Sequence, residues 1–153
     1  MKLSSTAIPS DSTIGITYVE RSCGGENVSP DLTWSDAPEG TRSYAITCFD
    51  PDAPTGSGWW HWIAFDIPAG ITALGAGQPV PGGTREWDND YGYAGYGGPC
   101  PPPGPAHRYI FTVHALDVAE LGIPEGLTSA AARFNLLAHS IGQASFTAHY
   151  GRD

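Results

Sequence analysis

The fold is decided by the stretch Asp50-Pro51-Asp52-Ala53-Pro54, which is followed by Gly58-Trp59-Trp60-His61-Trp62. Segments rich in β-forming residues flank it, one over 43–49 that ends at Asp50-Pro51 and one over 61–67 that stops at Pro68. Prolines fix φ and remove a backbone donor, so the loop between these segments is stiff. We therefore predict two strands joined by a rigid turn, with His61 at the start of the second strand.

A second loop of the same kind precedes the strongest strand pattern in the chain. It reads Gly98-Pro99-Cys100-Pro101-Pro102-Pro103-Gly104-Pro105-Ala106-His107-Arg108-Tyr109, and the segment 107–116 is apolar on both faces. Such a pattern predicts a central strand. Because residues i and i+2 of a strand share a face, His107 and Tyr109 project together while Arg108 points away. Shorter strands are predicted at 13–18, 31–35, 84–88 and 144–150.

One helix is predicted, over 129–141, with Thr128 as its N-cap and Gly142 as its C-cap glycine. Its apolar residues follow the i, i+4, i+7, i+11 spacing of one buried stripe; they are Ala130, Phe134, Leu137 and Ile141. Together these patterns predict a mainly β fold, with two packed sheets and a late helix, as a single domain over 1–153.

Charge and cysteine content narrow the functional classes. The 153 residues include 7 basic and 16 acidic side chains, a net charge of −9, with no basic patch that could neutralise several phosphates. Nucleic acid and anionic membrane surfaces are therefore poor partners, and no apolar segment is long enough for membrane insertion. Cys23, Cys48 and Cys100 are odd in number and widely spaced, which predicts reduced thiols, no disulfide, no metal site and a cytoplasmic location. Cys100, in the second loop, is expected to be the most accessible thiol.

The two loops bring together the residues of an anion site. A carboxylate beside an imidazole favours the imidazolium, so Asp50 and Asp52 would support His61 and His107. Two imidazolium groups, a tyrosine hydroxyl and loop N–H groups would then bind a small anionic ligand. Each element alone also has a structural interpretation, as a turn, a tryptophan core or a proline-rich corner. Their coincidence in one chain favours the site.

The same motifs resemble those of the phosphatidylethanolamine-binding proteins, in particular their bacterial Raf-kinase-inhibitor-like branch. The residues that carry the resemblance are Asp50-Pro51-Asp52-Ala53-Pro54, Trp59-Trp60-His61-Trp62, Gly98 to Tyr109, Asn27-Val28-Ser29-Pro30 and Phe134-Asn135. The resemblance implies a large antiparallel sheet packed on a smaller sheet, with a helix near the C-terminus. It also implies a pocket lined by Asp50, Asp52, His61, His107 and Tyr109, with Pro54, Trp59 and Pro102 as walls. The backbone from Gly98 to Cys100 would complete it.

Three functions follow from this sequence. The first is binding of phosphate, a carboxylate or a phosphorylated small molecule, since no nucleophile is evident among the candidate residues. The second, suggested by the family resemblance, is regulation of a kinase or protease through the proline-rich loop. The third is an enzyme of a biosynthetic pathway that uses Asp50, His61 and His107 for acid–base catalysis. No cofactor is expected, and the sequence leaves the oligomeric state open, a homodimer included.

Overall fold

The fold is built around a five-stranded antiparallel sheet, which the computed structural model, covering residues 1–153, shows in the order β6-β4-β3-β7-β8. The strands of this sheet are β3 (Ser43–Asp50), β4 (Trp59–Pro68), β6 (Arg85–Glu86), β7 (Gly104–Leu116) and β8 (Ser140–Arg152). The three strands predicted at 43–49, 61–67 and 107–116 are therefore confirmed, and the predicted strand at 144–150 lies within β8.

A smaller antiparallel sheet packs on one face of the large sheet. Its strands are β1 (Lys2–Ser4), β2 (Leu32–Ser35) and β5 (Ala73–Leu74), in the order β1-β2-β5. Leu32 and Trp34 of the small sheet share a buried core with Ile46, Phe111 and Val113 of the large sheet. The burial of this apolar surface from both sides is what holds the two sheets together.

The single α-helix, α1 (Ser129–Ala138), covers the opposite face of the large sheet. Ala132 and Leu136 of α1 pack in a second buried cluster with Ala45, Ile63 and Phe65. The molecule thus has three layers, with the large sheet in the middle, and the predicted mainly β fold class is confirmed. Neither α1 nor any other helix is long and apolar enough to cross a membrane.

The predicted orientation of the helix is wrong. Thr128 is the N-cap and accepts a hydrogen bond from Ala131 N–H at 3.2 Å, as expected, but Phe134 is 77% exposed. Ala130, Leu137 and Ile141 are exposed as well, and both Ile141 and Gly142 belong to β8. The segment is apolar over most of its circumference, so the spacing of apolar residues did not identify the face that Ala132 and Leu136 bury.

The segment 13–18 does not form the predicted strand. Thr13 makes one isolated bridge to His149, and Ile14 N–H donates to the carbonyl of His149 at 2.8 Å. The chain then enters a short 3-10 helix over Ile16–Tyr18. The segment therefore forms only this one bridge with the edge strand β8, and its β-forming residues do not add a sixth strand to the sheet.

Candidate functional site

The candidate site lies where the ends of three neighbouring strands meet. Asp50 is the last residue of β3 and pairs with Trp59 at the start of β4. On the other side of β3, β7 runs antiparallel, with Ile110 opposite Phe49. The start of β7, which carries His107, therefore lies beside the end of β3, which carries Asp50. The short stiff turn after Asp50 keeps the start of β4 at the same edge.

A pocket of about 310 Å³ opens at this edge of the sheet. Most of the residues proposed from the sequence line it, and the rest of the lining comes from the two loops. The lining residues are Asp50, Ala53, Pro54, Thr55, Trp59, His61, Tyr91, Cys100, Pro101, Pro102, His107 and Tyr109. Prolines and aromatic rings form much of the wall, which suits a pre-formed site.

Asp50 and His107 form a buried pair at the base of the pocket. His107 Nδ1 lies 2.7 Å from Asp50 Oδ2, and the other carboxylate oxygen accepts a hydrogen bond from Asp52 N–H, also at 2.7 Å. Asp50 therefore fixes the orientation of the His107 ring and engages Nδ1. His107 Nε2 makes no hydrogen bond within the protein.

His61 differs from His107 in the group that holds its ring. His61 Nδ1 lies 2.7 Å from the carbonyl oxygen of Gly97, which can only accept a hydrogen bond. Burial lowers the pKa of His61, so the ring is neutral near neutral pH. The prediction of two imidazolium groups is therefore wrong for His61, because the ring is buried against a neutral carbonyl rather than a carboxylate.

Two polar atoms of the lining residues are buried without a partner in the protein. They are Tyr109 Oη and Trp59 Nε1. Tyr109 is 1% exposed, and burial, together with the nearby charge of Asp50, raises the pKa of its phenol, which stays protonated. Buried polar groups are nearly always hydrogen-bonded, so each of these two atoms lacks a partner that the protein itself does not supply.

Asp52 and Gly98, which the resemblance assigns to the pocket, do not line it. The chain turns after Asp50, and Asp52 binds Arg108 outside the pocket, with Oδ1 2.9 Å from Nη2 and Oδ2 3.1 Å from Nε. Gly98 lies behind the pocket wall, where its N–H donates to Asn27 Oδ1 at 2.7 Å. A Cβ at Gly98 would lie 2.1 Å from the Tyr18 carbonyl oxygen, so close packing explains this glycine.

Cys100 lines the pocket, but it is not the free thiol that the sequence predicts. It forms a disulfide with Cys23, 77 residues away, with the two Cα atoms 5.5 Å apart. Cys48 is the remaining free cysteine, and it is buried. The odd count and wide spacing were misleading, because the fold brings the short 3-10 helix over Arg21–Cys23 against the pocket rim.

Tyr91 lines the pocket and was missed, and so was the contact that Asn27 makes with Gly98 behind it. The Tyr91 ring packs edge-on against both Trp59 and His61, with centroids 5.4 and 5.6 Å apart, and its hydroxyl donates to the Gly98 carbonyl at 2.7 Å. The only sequence signal for Tyr91 was its position in a long glycine- and aromatic-rich connection. Asn27 lies far along the chain and only the fold brings it near.

Within this structure no group of three or more His, Cys, Asp or Glu side chains is arranged to hold a metal ion. The polar set of the pocket is instead one carboxylate paired with one imidazole, a neutral imidazole, a phenol and an indole N–H. Such a set can donate and accept hydrogen bonds around a small polar ligand.

Comparison with known proteins identifies the family. The family model for phosphatidylethanolamine-binding protein matches residues 4–151. The Escherichia coli UPF0098 protein YbhB is 47% identical over 131 residues, which is 82% of this chain and 83% of YbhB. A putative lipoprotein, LppC of Mycobacterium tuberculosis, is 42% identical over 127 residues, 82% of this chain and 61% of LppC.

The crystal structure of Escherichia coli YbcL, described as a new member of the mammalian PEBP family, superposes with a TM-score of 0.94. The sequence identity is 40%, and the match covers 99% of this chain and 98% of YbcL. The chain belongs to the phosphatidylethanolamine-binding protein family.

Proposed function

We propose that the pocket binds a small oxyanion, such as phosphate, a carboxylate or a phosphorylated small molecule. The observation that carries the proposal is the unpaired Tyr109 hydroxyl in a pocket whose base holds the Asp50–His107 pair. A buried polar atom without a partner costs free energy, about 1–3 kcal/mol, which a ligand oxygen would offset. The Trp59 indole N–H offers a second donor from the wall.

Binding is favoured over covalent catalysis by a serine-, threonine- or cysteine-type nucleophile, because the two groups of this kind in the lining are already engaged. The Thr55 hydroxyl donates to the Gly58 carbonyl at 2.5 Å, and the Cys100 sulfur is in a disulfide. Acid–base catalysis is the second candidate, since Asp50 holds His107 as a carboxylate holds a general base. Incubation with a phosphate monoester, followed by mass spectrometry of the small molecule, separates the two: recovery of unchanged ligand supports binding alone.

Regulation of a kinase or protease stays a prediction. The surface available for it is the proline-rich rim, where Pro102 and Pro103 are exposed beside the pocket. A partner that contacts this rim would be sensitive to pocket occupancy. Crosslinking through a photoreactive residue at Pro103, with and without phosphate, tests this.

The disulfide affects the inference about the cellular compartment in which the chain functions. The predicted cytoplasmic location rested on three reduced thiols, and two of the three are linked. We infer that the chain functions where disulfides persist, because thiol systems keep cytosolic cysteines reduced. Alkylation of the protein in intact cells, before lysis, tests the inference: protected Cys23 and Cys100 support it, and labelled ones contradict it.

Calorimetric titration with inorganic phosphate tests the oxyanion proposal. His107→Ala removes the imidazole at the base of the pocket, and we expect affinity to fall at least about tenfold. His139→Ala is a matched control: His139 Nδ1 contacts Asp117 at 2.8 Å, much as His107 contacts Asp50, but does not line the pocket. Equal affinity in both variants, with unchanged thermal melts, would contradict the proposal.

A further inference from the structure

The hydrogen bond from His61 to Gly97 fixes which ring nitrogen carries the proton. The carbonyl oxygen of Gly97 can only accept, so Nδ1 must donate across the 2.7 Å contact. Burial favours the neutral ring, which leaves Nε2 without a proton. Nε2 makes no hydrogen bond within the protein, and His61 lines the pocket. His61 therefore offers the ligand an acceptor.

The pocket thus combines unpaired donors with an unpaired acceptor. The Trp59 indole can only donate, and the Tyr109 hydroxyl donates and accepts. The Tyr91 hydroxyl is already used by the Gly98 carbonyl, so it offers the ligand no donor. An oxyanion without a hydroxyl would satisfy the two donors but would place oxygen lone pairs against the lone pair of His61 Nε2.

We propose that His61 sets the specificity of the pocket by accepting a hydrogen bond from an acidic hydroxyl of the ligand, so that oxyanions retaining a hydroxyl are selected. Hydrogen phosphate is such a ligand, and sulfate is not. This inference rests on the proposed oxyanion binding and narrows it to protonated oxyanions. It distinguishes the role of His61 from that of His107, whose Nδ1 faces Asp50.

Sulfate and hydrogen phosphate are a well-matched pair of probes. Near pH 8 both are tetrahedral dianions of similar size, and they differ in one proton. Differences in charge, shape or general electrostatics therefore contribute little to any selectivity between them. Desolvated sites that require a hydrogen-bond donor on the ligand discriminate strongly against analogues lacking it, because a buried group is left unpaired.

The test is calorimetric titration of the full chain with sodium phosphate and sodium sulfate at about pH 8 and constant ionic strength. We expect phosphate to bind at least about tenfold more tightly than sulfate. Binding of both anions within about twofold would overturn the inference and leave the oxyanion function standing. Binding of neither anion would instead contradict the proposed function itself.

Two variants assign the selectivity to a residue. In His61→Gln the side-chain amide can donate to the ligand, so we expect sulfate to gain and the phosphate-to-sulfate ratio to fall to about threefold or less. Tyr109→Phe removes a hydroxyl that donates to either anion, so both affinities should fall with the ratio kept. A folded His61→Gln protein with an unchanged ratio would overturn the assignment; if that variant fails to fold, the wild-type ratio still decides the selectivity.

Discussion

His114 is a buried histidine of β7 that lies away from the pocket. It is 5% exposed, its Nδ1 lies 3.0 Å from Ser140 Oγ, and it lines a small cavity against α1 with Leu136. Burial lowers the pKa of His114 to about 4. The native protein therefore keeps this ring neutral at pH values where the unfolded chain would protonate it.

The sign of the resulting pH dependence follows from proton counts. Between about pH 6.5 and pH 4 the unfolded state holds a proton at His114 that the native state lacks, so stability falls with falling pH, by up to about 1.4 kcal/mol per pH unit. His61 contributes in the same direction. We expect His114→Gln to flatten, without abolishing, the pH dependence of urea unfolding between about pH 6.5 and 4.5.

The ion pair of Asp52 with Arg108 is expected to contribute to stability but not to ligand binding. The Arg108 side chain, hydrogen-bonded to it, lowers the pKa of Asp52 to about 2, so the pair adds stability above about pH 4 that is lost as the pH falls towards 2. The pair is partly solvated and screened, so Asp52→Asn should cost less than about 1 kcal/mol at neutral pH. Phosphate affinity should change less than about twofold, because Asp52 does not line the pocket. A tenfold loss of affinity would return Asp52 to the site.

At the level of elements, α1 gives the sharpest contrast between pattern and packing. Leu136 is 1% exposed and contacts the large sheet, whereas Phe134 is 77% exposed. We expect Leu136→Ala to cost about 2–5 kcal/mol, through lost burial and a cavity, and Phe134→Ala to cost less than about 1 kcal/mol. Urea unfolding of both variants measures this. A larger loss of stability in Phe134→Ala than in Leu136→Ala would instead support the buried stripe that the sequence predicts.

The limits of sequence-based prediction are clearest in these elements. The strands β3, β4 and β7 were predictable because β-forming runs end abruptly at prolines, and the N-cap at Thr128 was predictable from side-chain chemistry. The buried face of α1 was not predictable. The helix has few polar residues, so the buried face is determined by how the helix packs on the large sheet. The prediction of a strand over 13–18 was wrong for a similar reason. Whether this segment pairs depends on its position against the edge strand β8, where it forms a single bridge.

At the scale of the whole molecule, some residues of the site could be predicted from local sequence and others depend on the fold. Five lining residues could be predicted, because each lies at the loop end of its strand or in the half of the strand nearest that loop, and the sequence shows both strand and loop. They are Asp50, Trp59, His61, His107 and Tyr109. Tyr91 and Cys23 reach the site only through the fold and leave no local pattern. The Cys23–Cys100 disulfide therefore ties the pocket rim to a distant segment of the chain. Nothing in the sequence indicates that this segment lies near the pocket.

Removing this disulfide should affect both stability and the rim. The bond closes a long loop, and Cys23→Ser is expected to cost about 2–4 kcal/mol in the free energy of unfolding, measured by urea titration. The released Cys100 thiol would line the pocket, so iodoacetamide should alkylate it, and bound phosphate should slow the reaction. Cys48 is an internal control: it is buried and burial raises its pKa, so it should react only on unfolding. Equal rates at Cys100 with and without phosphate would show that the ligand does not approach the rim that this disulfide holds.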